Sequence, residues 1–446
     1  MLSRSITPLH ATALVVGIII GASIFVQPSV ITGAVPTVGG VFAVWIVAGV
    51  LTLFGALIAA ELASAYPQAG GVYVFLREAF SPVAGFLWGW AMFWTMHTGI
   101  IAVIAMVFAR YVAFFIPVGD AGLRVIAVLG IVALTGVNYL GVRQGSLVQT
   151  TLTILKVAAV LLIILAAFTV GHAIAPTLPS TGVGAVAPPA PLTFEQFPLA
   201  IVAGLFAFGG WHMVTYAAEE TQNPERTIPR ALMAGVAIVT FCYIALNAAY
   251  FRLLSPTQIA QSSRVAADAA DVMLGHGGAA IISVVVIIST FGALNGVILS
   301  GPRAYLAMAR DGLLVRWAAA IHPRFRTPHR AILLQGVWAI ALVSTGTYRD
   351  LFTRVVYTEW VFFALMAVGL MRLRTRATYT PAYRVWGYPI VPAIFIICST
   401  FIVIHQLITD SVNALTGLGL VAIGLPVYWL FLRNHSSPLQ TAHDAD

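Results

Sequence analysis

Long apolar stretches separated by short polar loops dominate the pattern of this 446-residue chain. A helix that crosses a bilayer needs roughly 20 mainly apolar residues, and about twelve segments meet this requirement. They are 11–34, 40–62, 82–115, 123–142, 147–171, 196–218, 230–251, 276–309, 330–348, 353–372, 388–409 and 411–433. The alternation typical of barrel strands is not seen, and helices satisfy their own backbone in lipid. An all-α polytopic membrane protein is therefore predicted.

The composition agrees with this prediction, because 60% of the residues are hydrophobic and only 9% are charged. Soluble domains carry about a quarter charged residues. No small-residue cleavage site follows the first apolar segment, which we interpret as a mature span. Cys242 and Cys398 both lie in apolar segments and are interpreted as packing residues.

The arginines orient the chain and account for its net charge of +8. If the N-terminus is cytoplasmic, most arginines fall in cytoplasmic loops or span ends, as the positive-inside rule requires. Both termini are therefore predicted to be cytoplasmic. No nucleic-acid partner is needed to explain the charge, since these arginines sit in short loops.

A single lysine interrupts the fifth apolar segment, TLTILKVAAVLLIILAAF, from Thr151 to Phe168. Lys156 is the only lysine in the chain. A charge at the centre of a membrane helix costs about 2.5–3.5 kcal/mol on insertion scales. We therefore expect its ammonium group to face the interior of the bundle and to find acceptors there. The alternative is that the side chain extends to the interface, about two turns away.

Two segments are interrupted by glycines, at GIIIGASIF (Gly17–Phe25) and FAFGGW (Phe206–Trp211). They are the first and sixth segments, so they hold the same position in two successive blocks of five. An odd number of spans reverses the chain direction, so the second block is predicted to be inverted. Paired interruptions indicate a transporter binding site near the membrane midplane. The alternatives are helix packing through Gly17 and Gly21 and a simple kink at Gly209–Gly210.

Unwound backbone at these two interruptions would present groups that suit an amino acid. The amides of Ala22, Ser23 and Ile24 would lie at the start of a half-helix, where the dipole favours a carboxylate. The carbonyl groups of Phe206–Phe208 would end another half-helix and suit an ammonium group. Aromatic rings flank this second break and are suited to close over a ligand.

Longer motifs extend this interpretation. They are GIIIGASIF, ELASAYPQAGGVYVFLREAFSPVAGFLWGW, FAFGGW followed by EETQNPERTIPRA, CYIALNAAYF, and STFGALNGVILSGPRAYLAMARDG. In order and spacing, over roughly residues 12–315, the chain resembles the amino acid–polyamine–organocation superfamily, nearest the prokaryotic form of its L-amino-acid transporter branch. The resemblance implies a LeuT-like bundle of two inverted five-helix repeats, with broken helices 1 and 6 and two further helices. It also implies amino acid transport by alternating access, commonly as an exchanger.

The resemblance divides the chain, and together with the two helix breaks it gives the expected site residues. The expected divisions are a cytoplasmic N-terminus (1–10), a first repeat (11–171), an extracellular loop (172–195), a second repeat (196–372), helices 11 and 12 (373–434) and a cytoplasmic tail (435–446). The residues expected at the substrate are Gly21, Ala22, Ser23, Ile24, Phe206, Ala207, Phe208, Gly209 and Tyr243. Those expected to gate or select are Phe206, Trp211 and His212. Lys156 and Asn295 are expected to take part in coupling.

The resemblance also suggests why the lysine is buried. Sodium-coupled relatives of this fold hold a sodium ion between spans 1 and 8 near this place. The ammonium of Lys156 would hold the same groups without an ion. Lys156 could instead release and regain a proton, because burial disfavours a charged amine.

Some residues depart from the family pattern or leave a choice open. Ser23 stands where the family usually has a glycine, and Val72 where an acidic residue is frequent. No cysteine lies between spans 3 and 4, so no disulfide-linked subunit is expected. His212 either contacts the substrate or caps polar groups in the core. The sequence also leaves open whether Glu219 and Glu220 form an inner gate with Arg226 and Arg230 or lie in a solvated loop.

These observations predict a sodium-independent secondary transporter for neutral L-amino acids in the cell's inner (plasma) membrane. Basic substrates are not expected, because neither break carries a carboxylate. Exchange and proton symport both remain open. An intramembrane enzyme is disfavoured because no H-E-x-x-H or G-x-S-x-G motif is present. No channel filter motif is seen, and no cofactor or metal is expected.

Overall fold

Every predicted apolar segment contains a helix in residues 2–169, 196–262, 264–346 and 357–432, the ranges that the computed structural model describes. In chain order, the spans are 1, Pro8–Ile19 with Ser23–Ala34; 2, Val38–Ala65; 3, Pro82–Val112; 4, Asp120–Leu140; 5, Val142–Thr169; 6, Gln196–Ala207 with Trp211–Glu220; 7, Pro224–Leu253; 8, Gly278–Arg310; 9, His329–Thr345; 10, Thr358–Leu373; 11, Ile390–Thr409; and 12, Ser411–Leu430. The prediction of an all-α polytopic membrane protein is confirmed.

Length and composition allow most of these helices to cross a bilayer. Nine of the described helices qualify, or ten if the bent pair of span 1 is one span. Spans 9 and 10 are shorter apolar helices on either side of residues 347–356, which lie outside the described ranges.

Short helices connect some of the spans. Val72–Ala79 lies between spans 2 and 3. Pro256–Gln261 and Val265–Leu274 lie between spans 7 and 8. The predicted extracellular loop, 172–195, and the predicted tail, 435–446, lie outside the described residues.

Spans in corresponding positions of the two blocks pack against each other. Span 2 lies along span 7, span 3 packs on span 8, and span 4 packs on span 9. The second half of span 1 contacts the first half of span 6, and the remaining halves of these two spans also meet. These contacts between counterparts agree with an inverted five-plus-five repeat, in which a pseudo-two-fold axis relates each span of one block to a span of the other.

Ion pairs between spans 6 and 8 close one end of the bundle. Glu220 accepts hydrogen bonds from Arg303 at 2.6 and 3.0 Å, and both side chains are buried. Glu219 pairs with Arg310 at 2.7 Å. The hypothesis that the arginines at the start of span 7 pair with these glutamates is wrong, because span 8 supplies the partners.

Candidate functional site

Span 1 is broken at residues 20–22, and its two halves are bent by 46°. Three isoleucines precede Gly21 at this point. β-branched residues and glycine both have a lower helix propensity than alanine or leucine, which favours a break here. The N–H groups of residues 22–24 make no backbone hydrogen bond within the described chain. They lie at the start of the second half-helix, where the dipole favours an anionic group.

Lys156 of span 5 lies against this break and has no exposed surface. Its Nζ donates hydrogen bonds to the carbonyl oxygens of Gly17 at 2.9 Å, Ile20 at 2.9 Å and Ser289 at 2.7 Å. An ammonium group has three N–H donors, and each has an acceptor here. The side chain therefore links span 5 to the end of the first half of span 1 and to span 8.

These three hydrogen bonds account for the burial of the charge. A hydrogen bond to a charged group contributes about 1.5–3 kcal/mol. Three of them together exceed the insertion cost of about 2.5–3.5 kcal/mol. The carbonyl end of a half-helix also favours a cation. Extension of Lys156 to the interface does not fit a fully buried side chain whose three donors are all used.

Hydroxyl groups complete the contacts at the first break. The Ser289 hydroxyl lies 3.0 Å from the carbonyl oxygen of Ile20 and 3.2 Å from that of Gly21. The Thr153 hydroxyl donates to the carbonyl of Ala13 at 3.0 Å. The carbonyls at the end of the first half of span 1 are thus held mainly by Lys156 and by Ser289 of span 8.

Span 6 is broken by Gly209 and Gly210. Gly210 has a φ of 93°, in the left-handed region that only glycine adopts without strain. A Cβ atom at this position would collide with the side chain of Ile18 in span 1. The Gly209 N–H donates to the carbonyl of Phe206 at 3.1 Å, and the chain resumes as a 3₁₀ helix over Trp211–Glu220.

Tyr243 of span 7 joins the two breaks. Its hydroxyl lies 2.9 Å from the carbonyl oxygen of Ile19 and 3.0 Å from that of Ala207. The Ser23 hydroxyl approaches the same Ala207 carbonyl at 3.4 Å. The resemblance implies that Tyr243 lies near a substrate carboxylate, whereas here its hydroxyl is directed at two backbone carbonyls.

A cavity of about 260 Å³ lies between the two breaks and spans 3 and 10. Seven of the predicted site residues line it: Gly21, Ala22, Ser23, Phe206, Ala207, Gly209 and Trp211. Val26 and Phe206 are each 43% exposed, which places the mouth beside the second half of span 1. Branched aliphatic side chains of span 3 and the rings of Trp360 and Phe363 make most of the wall apolar.

Four predicted site residues lie behind this wall: Ile24, Phe208, Tyr243 and His212. The His212 ring packs 5.4 Å from the ring of Trp211 and 4.9 Å from that of Phe363, both of which line the cavity. Neither of its nitrogens has a hydrogen-bond partner among the described residues. In this structure His212 thus neither lines the cavity nor caps a polar group.

Asn295 lies in a separate polar cluster. Its Nδ2 donates to the carbonyl of Gly145 and to Oε1 of Gln149, both at 3.0 Å, and its Oδ1 accepts from Asn138 at 2.9 Å. The cluster joins spans 4, 5 and 8. Asn295 and Lys156 share no direct hydrogen bond.

Sequence reasoning missed several residues that the structure brings to the site. Gln149 and Thr153 precede Lys156 by seven and three residues, and all three are buried. This helical spacing marks a polar face on an otherwise apolar span and was an available signal. No comparable spacing of polar residues points to Ser289. Glu359 is a lone acid near the start of span 10, and its place in the cavity wall depends on packing.

Comparison with known proteins agrees with this geometry. Residues 6–431 match the family described as Amino acid permease. A serine/threonine exchanger of Bacillus subtilis (strain 168) is 33% identical, over 98% of this chain and 98% of that protein. The human cystine/glutamate transporter is 30% identical, over 97% of this chain and 86% of its own length. The mouse Asc-type amino acid transporter 1 is 31% identical, over 98% and 83% respectively.

Proposed function

Because this chain belongs to the amino acid permease family, we propose that it is a sodium-independent exchanger of neutral L-amino acids. Amino acid transport across a membrane, without enzymatic chemistry, follows from the family and the relatives. The coupling ion, the substrate class and the exchange mode are the finer assignments made here.

Lys156 is the observation that carries this proposal. Its ammonium group is held by carbonyls of spans 1 and 8, where sodium-coupled relatives of the fold hold an ion. A fixed positive charge at this place supports the unwound part of span 1 without sodium. The broken helix then needs no ion from solution before it binds substrate.

The cavity supports a neutral L-amino acid as the substrate. The amides of residues 22–24 would bind the α-carboxylate of the substrate. The carbonyls that end the first half of span 6, at Phe206–Phe208, would bind its α-ammonium group. The mainly apolar wall then faces the substrate side chain.

The contacts of Lys156 favour exchange over proton symport through this residue. A neutral amine has two N–H donors, so release of a proton would remove one of the three charge-assisted hydrogen bonds that Lys156 donates to buried carbonyls. A hydrogen bond to a charged group contributes about 1.5–3 kcal/mol, which the neutral amine would lose. Lys156 is therefore proposed to remain charged through the cycle, with a second amino acid driving the return step.

The proposal also covers the membrane location, the topology and the partner subunits of the protein. A plasma membrane location is proposed, and the arginine distribution supports cytoplasmic termini. A disulfide-linked subunit is not proposed, because the two cysteines, Cys242 and Cys398, lie within spans 7 and 11.

Uptake of labelled amino acids into liposomes tests the proposal. The purified protein is reconstituted, and a panel of neutral, acidic and basic L-amino acids is offered with and without unlabelled amino acid inside. The proposal expects uptake of neutral amino acids that depends on internal substrate. Equal uptake into empty liposomes would contradict exchange, and stimulation by an inward proton gradient would favour symport.

A further inference from the structure

Glu359 places a carboxyl group in the wall of the cavity. It lies near the start of span 10, beside Trp360 and one turn before Phe363. The residue is only 8% exposed, and its Oε1 has no hydrogen-bond partner among the described residues. It is the one acidic or basic residue among those that line the cavity.

The charged groups on neighbouring elements are engaged elsewhere. The titratable and charged side chains on span 2, the helix Val72–Ala79, span 3, the second half of span 6 and span 11 are Glu61, Tyr73, Arg77, Glu78, His97, Arg110, Tyr111, His212, Tyr216, Glu219, Glu220, Cys398 and His405. Glu219 and Glu220 pair with Arg310 and Arg303 of span 8. Glu61 pairs with Arg374 and accepts the Val385 N–H at 2.6 Å. Arg77 pairs with Glu78 and Asp311.

The remaining groups provide no cation for Glu359. His97, His212 and Tyr216 are buried, and their side-chain polar atoms have no hydrogen-bond partner among the described residues. The His405 ring packs against Phe401, 6.0 Å away. No ion pair joins any of these side chains to Glu359 within the described chain.

An ionised carboxylate in an apolar wall is strongly unfavourable unless a positive partner is present. The described chain supplies no such partner, but the cavity is open to solutes. Two species with the right chemistry can reach the carboxylate from there. They are a proton and the ammonium group of a substrate side chain.

We propose that Glu359 is a specificity-determining residue that binds the positive end of a basic side chain, so that the transporter accepts short diamino acids as well as neutral amino acids. A proton takes the same place when the substrate side chain is neutral. This inference rests on the proposed function of amino acid transport. It revises the expectation that basic substrates are excluded, which considered only the two helix breaks.

Matched pairs of amino acids isolate the contribution of the charge. Ornithine and norleucine have side chains of equal length that end in an ammonium and a methyl group, as do 2,4-diaminobutyrate and norvaline. Each is tested as an inhibitor of uptake of a neutral substrate from the liposome panel. The proteins are the wild type, Glu359→Gln, and the matched control Glu225→Gln at the half-exposed start of span 7.

The proposal expects both diamino acids to inhibit the wild type. Glu359→Gln should raise their inhibition constants at least about tenfold and change those of norleucine and norvaline less than about threefold. Raising the external pH from about 5.5 to about 8 should strengthen inhibition by ornithine in the wild type, because ornithine must displace the proton that the carboxyl in the apolar wall holds at the lower pH. Glu359→Gln should lose this dependence, and Glu225→Gln should retain it.

Failure of this inference is distinct from failure of the proposed function. If diamino acids do not inhibit the wild type, or inhibit Glu359→Gln equally, the role of Glu359 is overturned while amino acid transport stands. If the wild type takes up no neutral amino acid, the proposed function fails instead. Should Glu359→Gln not fold, Glu359→Asp replaces it: the shorter acid should shift preference from 2,4-diaminobutyrate toward ornithine, and an unchanged ranking overturns the proposal.

Discussion

Lys156 shows how far a single residue can be interpreted from sequence. The cost of a buried charge predicts that the ammonium faces protein and finds acceptors. The identity of those acceptors does not follow from the sequence, because the carbonyls of Gly17, Ile20 and Ser289 meet only when three spans pack together. Glu359 could not be assigned to the site from the sequence either, because one acid at a helix start gives no periodic signal.

Replacing Lys156 with methionine tests the tethered cation. Lys156→Met keeps the length of the side chain, removes its charge and takes the ammonium donor away from three carbonyls, of which that of Ile20 retains the Ser289 hydroxyl. A buried group left unsatisfied costs about 1–3 kcal/mol, so the span 1 break should relax and substrate affinity or turnover should fall at least about tenfold. Folding and insertion should survive, because removing a charge from the membrane is favourable.

Lys156→Arg is the matched control for charge. It retains a cation but has a planar fork in place of a compact ammonium, and it should restore little activity. Binding and exchange in liposomes measure both variants. Near wild-type affinity and turnover in Lys156→Met would mean that the charge has no part in the transport cycle.

Phe206 is predicted to close over bound substrate. Its ring lines the cavity beside the span 6 break and is 43% exposed. Phe206→Ala should slow exchange more than it weakens equilibrium binding, because a closing ring acts on the conformational step. Parallel measurements of binding affinity and exchange rate decide the point. A wild-type exchange rate in Phe206→Ala would show that Phe206 is only a packing residue.

At the scale of the helices, the breaks in spans 1 and 6 and the link between them are the main features of the site. Glycines at equivalent places in spans 1 and 6 allow the breaks to be predicted from sequence, because glycine weakens a helix by about 1 kcal/mol relative to alanine. The link between the breaks could not be predicted. It depends on the Tyr243 hydroxyl, which lies within 3.0 Å of carbonyls in both spans.

Gly210 should be intolerant of any side chain. Gly210→Ala places a Cβ atom at a φ of 93° and against Ile18 of the other broken helix. A left-handed conformation alone costs a non-glycine residue about 1–2 kcal/mol, so the variant should melt at a lower temperature and transport poorly.

The control for this substitution lies in the second half of span 1. A Cβ atom at Gly33 meets nothing within 4 Å, so Gly33→Ala should leave stability and transport unchanged or slightly improved. Thermal unfolding in detergent and liposome exchange measure both variants. Equal behaviour of the two would show that the span 6 break does not need the left-handed backbone.

At the scale of the whole molecule, the cavity mouth and the buried ion pair lie in different parts of the bundle. The cavity mouth lies beside Val26 and Phe206, whereas the buried pair of Glu220 and Arg303 joins spans 6 and 8 at the opposite end. Hydrophobicity alone predicts the helical segments, and the paired glycines predict the inverted repeat. The ion-pair partners could not be predicted, because arginines of two different spans lie at the same end of the bundle.

A molecule with its own cation at the span 1 break should not require sodium. The most direct test is the initial rate of neutral amino acid exchange in liposomes when external sodium is replaced completely by choline. Equal rates are expected in the two media, because the three carbonyls that would bind an ion are already occupied by Lys156. A severalfold lower rate in choline would contradict it.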